Sequence, residues 1–415
     1  MKLYFKYILG IILAIGSLNS CSISKYIPED KRLYTGATLA VQPDSIIENK
    51  EDLKTELEKV LRPEPNTSFL GMHLGLYYYY KNQKENPGFI NRWLYDKFGE
   101  NPVYQSDVEA YQVEDLLLNR LENRGFFYSR VSSEFEENEK KASIDYTVKV
   151  PKPYRMASYQ LDAMPKLIYK DIKQYVDSTP LKKDMRFDLY RLKMERQRID
   201  DNLKNKGYYN FDDTFLIFEA DTNHYDNKRF NLFLKLKKAV PEKSTIPYKI
   251  NTVNIYTNYE VADSVTTETI RYHDKNFIQN NTFFKPKYLD PFVKLEEGQF
   301  YSPETSKNTA RRLSNIGAYK YVNIQYKEID SLLTDSLGAL EANIYLSPLT
   351  KRAIRAELQL VTKSNNFSGP TFGLTFSNRN LFGGGETLNI SATVGYETQL
   401  GAGDNVGRSS LELGL

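Results

Sequence analysis

Near the end of the sequence, three successive stretches alternate apolar and polar residues without interruption, and few folds accommodate that pattern. In the first, Ile354, Ala356, Leu358 and Leu360 alternate with Arg355, Glu357 and Gln359. In the second, Phe372, Leu374 and Phe376 alternate with Thr371, Gly373, Thr375 and Ser377. In the third, Leu388, Ile390, Ala392, Val394 and Tyr396 alternate with Asn389, Ser391, Thr393, Gly395 and Glu397. Side chains of an extended strand point to opposite faces with a period of two, so each stretch offers an apolar and a polar side to different surroundings. Segments of about ten residues patterned this way and parted by turns suit a transmembrane β-barrel, with lipid outside and water in the lumen. They also suit a half-buried soluble hairpin, and alternation alone does not separate the two.

Composition excludes several classes. A chain of 415 residues is expected to hold several domains. Its 56 basic and 53 acidic residues nearly cancel, so charge implies no nucleic-acid partner. A mean hydropathy of −0.55 excludes a polytopic helical membrane protein. Against one Trp stand 32 Tyr and 22 Phe, a balance that suits strands and wet interfaces. Cys21 is the single cysteine, which rules out internal disulfides and cysteine-based metal clusters. His73, His224 and His273 share no ligand spacing, so no metal or other cofactor is expected. The carboxylate groups Glu134, Glu136 and Glu137, and Asp212 with Asp213, read as solvated faces after strands. No nucleophile or paired acid stands out, and an enzyme is not expected.

Residues 1–20 read as a signal peptide: Lys2 and Lys6 precede an apolar run from Tyr7 to Ile15 that is too short to span a bilayer. Leu18-Asn19-Ser20-Cys21 resembles the lipobox of bacterial lipoproteins, with Asn19 where a small residue is usual. That resemblance implies that Cys21 becomes the mature N-terminus and carries acyl chains such as palmitate, several of which anchor stably. Ser22, rather than Asp, points to the outer membrane. Residues 21–32 would be the lipidated tether.

A repeat organises the middle of the chain. Leu121-Glu122-Asn123-Arg124-Gly125 precedes Phe126-Phe127, Leu203-Lys204-Asn205-Lys206-Gly207 precedes Tyr208-Tyr209, and Leu313-Ser314-Asn315-Ile316-Gly317 precedes Ala318-Tyr319. In each, an amphipathic helix ends on a glycine that can take the left-handed conformation, and the following aromatic is expected to start a strand. Ser106 with Glu109 predicts a capping box, and Ser302 with Pro303 an N-cap followed by proline at the first helical position. Alternating strands at 144–150, 230–236 and 342–346 close the units. Each unit thus reads strand, helix, helix, strand, strand, at residues 33–152, 153–242 and 243–349, a small α+β module in tandem. Residues 62–105, with the run Tyr77 to Tyr80 and Trp93, read as an insertion with its own short helices.

This order resembles the BamA/TamA outer-membrane assembly family, in which POTRA modules precede a β-barrel. The residues that carry it are Asn380, Leu381, Phe382, Gly383, Gly384, Gly385 and Glu386, similar to the family's turn between early barrel strands, and Gly298 to Ser302, similar to a stretch of its last POTRA module. With the lipobox, Lys25-Tyr26-Ile27-Pro28 and Gly99-Glu100-Asn101-Pro102, the likeness is to the lipidated branch, the translocation and assembly module lipoproteins. The fold class implied is α+β: tandem POTRA-like modules followed by the first strands of an antiparallel outer-membrane β-barrel from residue 350. The resemblance further implies an outer-membrane protein with periplasmic modules, substrates that are unfolded outer-membrane proteins, contact with outer-membrane lipid, and a TamB-like inner-membrane partner. Its binding edge would be a closing strand such as Ala342–Leu346 or a second strand such as Tyr321–Tyr326. Its first barrel strand, at a lateral gate, would be Ala353–Val361.

A phosphate-binding loop is an alternative for the glycine run, but no helix, Lys or Ser follows in register. A passive scaffold lipoprotein shares the anchor and the repeats, yet gives no reason for lipid-patterned strands. A family barrel needs more strands than fit between Lys351 and Leu415, where Leu411, Leu413 and Leu415 begin a fourth. An open edge has no partner in lipid, and Leu415 is not the aromatic usual at a barrel's end. The chain is therefore expected to be a C-terminally truncated piece of a longer protein.

Overall fold

The computed structural model describes residues 23–69, 72–225, 227–260, 268–280, 283–329, 336–364, 367–399 and 409–415. The signal segment and Cys21 lie outside the described residues. The chain forms two compact units. One takes in the residues up to Gln160 with Pro180–Met194 and Phe218–Phe233; the other takes in Leu161–Thr179, Glu195–Ile217 and Leu234–Leu415.

The first module, wholly in the first unit, begins with a 3₁₀ turn at Ile23–Tyr26 and strand β1 (Leu33–Pro43). Helix α1 (Lys50–Glu58), the inserted α2 (Leu74–Asn82) and α3 (Gly88–Phe98), and α4 (Ala110–Asn123) follow, then β2 (Arg130–Glu137) and β3 (Lys141–Val150). β3 lies in the middle of the sheet, parallel to β1 and antiparallel to β2. Val113, Leu117 and Leu121 come round at helical spacing to one face of α4 and bury against Tyr34, Leu57, Ile144 and Val148. The expected capping box is not formed. Ser106 sits inside a 3₁₀ turn whose start is closed by Asp107, which accepts from the Tyr104 N–H at 2.8 Å, and α4 starts later without a side-chain cap.

The second module supplies β4 (Arg155–Leu161), α5 (Leu167–Asp177), α6 (Leu189–Asn205), β5 (Leu216–Asp221) and β6 (Arg229–Leu236), with sheet order β4-β6-β5. In the first unit its apolar cluster joins Met156, Leu181, Leu192, Phe230 and Leu232.

The third module departs from the simple repeat. Between β7 (Tyr248–Tyr256) and its helices stands an additional hairpin, β8 (Glu268–Tyr272) and β9 (Lys275–Gln279). The helices α7 (Pro286–Leu289) and α8 (Pro303–Ser314) precede β10 (Tyr319–Glu328) and β11 (Gly338–Pro348), and the sheet order is β10-β11-β7-β9-β8. Helix α7 lasts only four residues and passes into a 3₁₀ turn at Asp290–Phe292. Pro291, without an N–H and unfavourable to a helical residue before it, ends the α-helix there. Ser302 caps α8 as expected, its Oγ accepting from the Thr305 N–H at 3.3 Å.

β12 (Arg352–Thr362), β13 (Phe367–Arg379), β14 (Thr387–Gln399) and β15 (Ser409–Gly414) form an antiparallel meander in sequence order. The expected class, α+β with tandem modules ahead of an antiparallel sheet, is the class observed.

The aromatic followers need correcting. Phe126 and Tyr208 do not start strands; they are buried in turns, and β2 and β5 begin several residues later. The Phe126 N–H donates to Leu121 O at 3.0 Å and the Gly125 N–H to Glu122 O at 2.9 Å, with Tyr208 to Leu203 (3.1 Å) and Gly207 to Lys204 (3.0 Å) repeating the pattern. These are Schellman closures, and the ring after the glycine must fold under the helix end before the chain can extend. Tyr319 alone starts its strand directly.

Candidate functional site: open edges, module junctions and a docked turn

The register of the meander gathers the alternating apolar residues on one face. Ile354, Ala356 and Leu358 lie opposite Phe376, Leu374 and Phe372, and these in turn lie opposite Ile390, Ala392 and Val394. Val394 and Tyr396 lie opposite Leu413 and Leu411. On the other face Thr375 and Ser391 share a hydrogen bond, Ser377 donates to Asn389, and Lys363 pairs with Glu397 and Glu412. The apolar face is open: Ile354, Leu358, Leu360, Phe372, Leu374, Ile390, Val394, Tyr396, Leu411 and Leu413 are all exposed. Burying what remains exposed of such side chains is worth about 1 kcal/mol each, so together they represent on the order of 10 kcal/mol, comparable with a typical domain's net stability.

Within the modules, the topology decides between the two strands considered as a binding edge. The closing strands β3 and β11 are central, each hydrogen-bonded on both sides, so Ala342–Leu346 is not an edge. The second strands are edges: no strand lies beyond β2 or β10 among the described residues. On β10, Tyr321, Asn323, Gln325 and Lys327 are exposed while Val322, Ile324 and Tyr326 turn to the core. The opposite edge of the first module is partly covered, since the Tyr34 N–H donates to Val103 O and Leu33 bridges Tyr104.

The repeat glycines stand at two matching junctions. The Gly125 carbonyl accepts from Tyr154 N–H at 3.0 Å, and the Gly207 carbonyl from Tyr248 N–H at 2.8 Å. Both have positive φ. Beside each, the end of one module's helix meets the start of a helix in the next. Arg124 grips Glu56 with Nε and Nη2 and donates from Nη1 to Asp188 Oδ2 at 2.8 Å, while Asp188 Oδ1 caps α6 by accepting from Arg191 N–H at 3.2 Å. The Glu56 hydrogen bonds push the Arg124 pKa further up. At the second junction Asn205 Oδ1 accepts from Ser302 Oγ at 2.7 Å, on the very residue that caps α8. Aromatic rings pack beside both contacts: Phe127 with Tyr154 and Phe187, and Tyr209 with Tyr248 and Tyr301. A helix C-terminus against a helix N-terminus is also the favourable alignment of their dipoles. Gly317, the third repeat glycine, has φ 76° but faces open space, with no described atom within 4 Å of where a methyl group would stand.

Asn380 to Glu386 form the turn between β13 and β14, and it is seated on the third module. Asn380 Nδ2 donates to Phe283 O at 2.6 Å, Asn380 Oδ1 accepts from Gly385 N–H at 3.0 Å, and Gly383 O accepts from Lys285 N–H at 2.9 Å. Glu386 folds back inside the turn, accepting from the Phe382 and Gly384 N–H groups, and backbone hydrogen bonds hold its carboxyl below the usual range. A methyl on Gly385 would come 2.7 Å from Ile316 Cγ2. Leu381 is half-buried and Phe382 exposed.

No family model and no curated protein matches this chain. Among solved structures, it is similar to BamA POTRA3-5 of Haemophilus influenzae, at 11% identity over 77% of this chain and 99% of that one, with a TM-score of 0.35. It is also similar to BamA of Haemophilus ducreyi lacking POTRA domains 1-3, at 12% identity, 59% of this chain, 39% of that one and TM-score 0.38. CdiB of Acinetobacter baumannii matches at 10% identity over 59% of this chain and 40% of that one, with a TM-score of 0.27. The chain thus spans about two fifths of the last two structures.

Other candidate chemistry is dispersed. Among the described residues no group of three or more His, Cys, Asp or Glu is placed to hold a metal ion. His73 meets Thr67 O, His224 meets Asp221 and His273 meets Asp290, each apart from the others. Glu134, Glu136 and Glu137 are exposed on β2, whereas Asp212 caps a 3₁₀ turn by accepting from Thr214 N–H, and Asp213 pairs with Arg196. No described helix is long and apolar enough to cross a membrane, which says nothing of strands. A cleft of about 700 Å³ opens beside Arg124, lined by Arg155, Arg186, Glu48 and Phe126. The Arg186 guanidinium lies 4.9 Å over the Phe126 ring, and burial with Arg124 nearby lowers its pKa. Sequence reasoning missed the β8–β9 hairpin, the Arg124–Asp188 junction and the seating of the turn. The Tyr256 to Gln279 region held one usable signal, the alternation of Phe277 with its neighbours.

Proposed function

We propose that this chain belongs to an outer-membrane assembly machine of the BamA/TamA kind, lipidated at Cys21, which passes unfolded outer-membrane proteins from periplasmic POTRA modules to a β-barrel. The observation that carries the proposal is the meander, apolar on one face and polar on the other across four registered strands, with its apolar face uncovered. Lipid on one side and a wet lumen on the other is the pair of solvents that suits such a sheet. In this reading β12 is the barrel's first strand, at the lateral gate, and the turn at Asn380–Glu386 faces the periplasm.

Incoming chains would add to the open edges β2 and β10, where main-chain hydrogen bonds give affinity with little sequence choice. No covalent chemistry is required of the protein. A TamB-like inner-membrane protein is the partner that the resemblance suggests, and substrates would be barrel proteins either inserted or exported.

The test is made on the protein expressed in its host. Envelope fractions are run on a gel with and without boiling, alongside metabolic acyl labelling. A heat-dependent shift, together with label lost on Cys21→Ala, is the expected result. A labelled band that does not shift would remove the barrel and leave a passive lipoprotein.

A further inference from the structure

The inserted helical hairpin of the first module exposes apolar surface that strand addition does not use. α2 and α3 pack side by side, with the Tyr79 and Tyr95 rings 6.2 Å apart, and no residue of α3 is buried. At 100° per residue, Phe89, Ile90 and Trp93 share an arc of about 100°, on the opposite side of α3 from Tyr95. They are 84%, 70% and 48% exposed. Lys97 lies on the same side, its Nζ 4.9 Å over the Trp93 ring, and Arg92 flanks it. An aromatic ring under a lysine, beside further large apolar groups, is the composition of a helix lying in a bilayer's headgroup layer.

The first residues described after Cys21 pack on the same hairpin. The 3₁₀ turn at Ile23–Tyr26 is fastened to α2: Tyr26 stacks on Tyr80 at 5.8 Å, and Ile23 and Ile27 share an apolar cluster with Leu76 and Leu33. Cys21 precedes Ile23 by two residues, a reach of at most about 7 Å. The chain just after Cys21 thus packs directly on α2, and α3 is α2's neighbour. Lys81 and Lys84 follow on α2 and its turn.

We propose that the outward face of α3 lies in the headgroup region of the membrane that holds the Cys21 anchor. The first module is then seated on the bilayer by an amphipathic helix as well as by acyl chains, which fixes its orientation where a lipid on a loose tether would not. The occupant of the face is a lipid surface. The inference rests on the lipoprotein reading of Cys21.

Trp93 is the only tryptophan in the chain, so its fluorescence reports on this face alone. The 415-residue chain, produced in a bacterial host with its own N-terminal segment, is checked for acylation by mass spectrometry. It is then placed in phosphatidylethanolamine–phosphatidylglycerol vesicles with and without lipids brominated on the upper acyl chain. The acylated chain is expected to show Trp93 emission shifted to shorter wavelength and quenched by bromine. The paired substitution Phe89→Ser and Ile90→Ser, at exposed positions, is expected to lose most of both effects while acylation is unchanged. An acylated chain whose Trp93 is unshifted and unquenched overturns the seating and leaves the lipoprotein reading standing, with a protein partner or water on that face. Quenching that survives the double substitution undiminished also overturns it, because the anchor alone then brings Trp93 to the lipid. A chain unmodified at Cys21 overturns both readings.

Discussion

The side-chain amide of Asn380 donates to the Phe283 carbonyl at 2.6 Å, fastening a turn of the meander to a loop of the third module 97 residues earlier. The same side chain closes the turn internally by accepting from Gly385 N–H. Asn380 does this at φ 54°, in the left-handed region that Asn tolerates better than most residues. One residue therefore links the conformation of the turn to its attachment, and a displacement of either is felt by the other.

Asn380→Ala is expected to cost about 1–3 kcal/mol, from the left-handed backbone and the partners left unpaired. Gly385→Ala adds a contact 2.7 Å from Ile316 at φ 88° and should release the same turn. Hydrogen exchange is the measurement: the Lys285 and Gly385 amides should exchange faster in both variants, with the central strand β11 unaffected. Unchanged protection at Lys285 in Asn380→Ala would mean that this hydrogen bond does not hold the turn.

The repeat glycines should respond unequally to alanine. At Gly317 the substitution meets only the backbone cost of positive φ, about 1 kcal/mol, because the space beyond is open. At Gly125 the new methyl would lie 2.8 Å from Phe187 Cβ and O, and the expected loss rises to about 2–4 kcal/mol. Urea unfolding of the two variants measures the difference, and equal losses would contradict the close approach at the first junction.

A pH effect is expected from Asp200, which is buried on α6. Desolvation raises its pKa, and Lys204 at 2.8 Å offsets this only in part. A carboxyl with a raised folded-state pKa favours folding below its unfolded value, near 3.8, and loses that contribution as pH rises through the folded value. Asp200→Asn should accordingly be more stable than the parent at pH 7, with the gap narrowing as pH falls towards 3.8. Thermal unfolding across this range decides it; an Asn variant less stable at pH 7 would show that the Lys204 pair outweighs burial.

Edge and centre should differ in capture of an incoming strand. Cysteines at Asn323 or Gln325, exposed on β10, are expected to cross-link to a cysteine-bearing barrel peptide, whereas one at Ile344 on central β11 should not. The background is a chain whose single native cysteine is Cys21. Absence of cross-linking at both Asn323 and Gln325 would remove β10 from the binding surface.

Much of the fold is legible in the sequence because its signals are local. The Val113, Leu117 and Leu121 spacing, the Ser302–Pro303 start and the stops at Gly125 and Gly207 each depend on a few neighbouring dihedrals and one turn of helix. The signals that failed were also local, but ambiguous. Ser106 and Glu109 have the capping-box spacing, yet Asp107 reached the free N–H of Tyr104 first. Phe126 and Tyr208 have strand propensity, but their rings were needed beneath the helix ends.

The sequence by itself determined which residues alternate, where helices stop and that the last strands are apolar on one side and polar on the other, since period and φ preference are written residue by residue. Only the tertiary structure decided that β3 and β11 are central and β2 and β10 open, and that Asn380 reaches Phe283. Alternation says which face of a strand is buried, not which strand lies beside it. That choice is made by pairings between residues about a hundred positions apart, such as Ala37 with Ile144 and Ile255 with Ile344, through backbone groups that every residue carries alike.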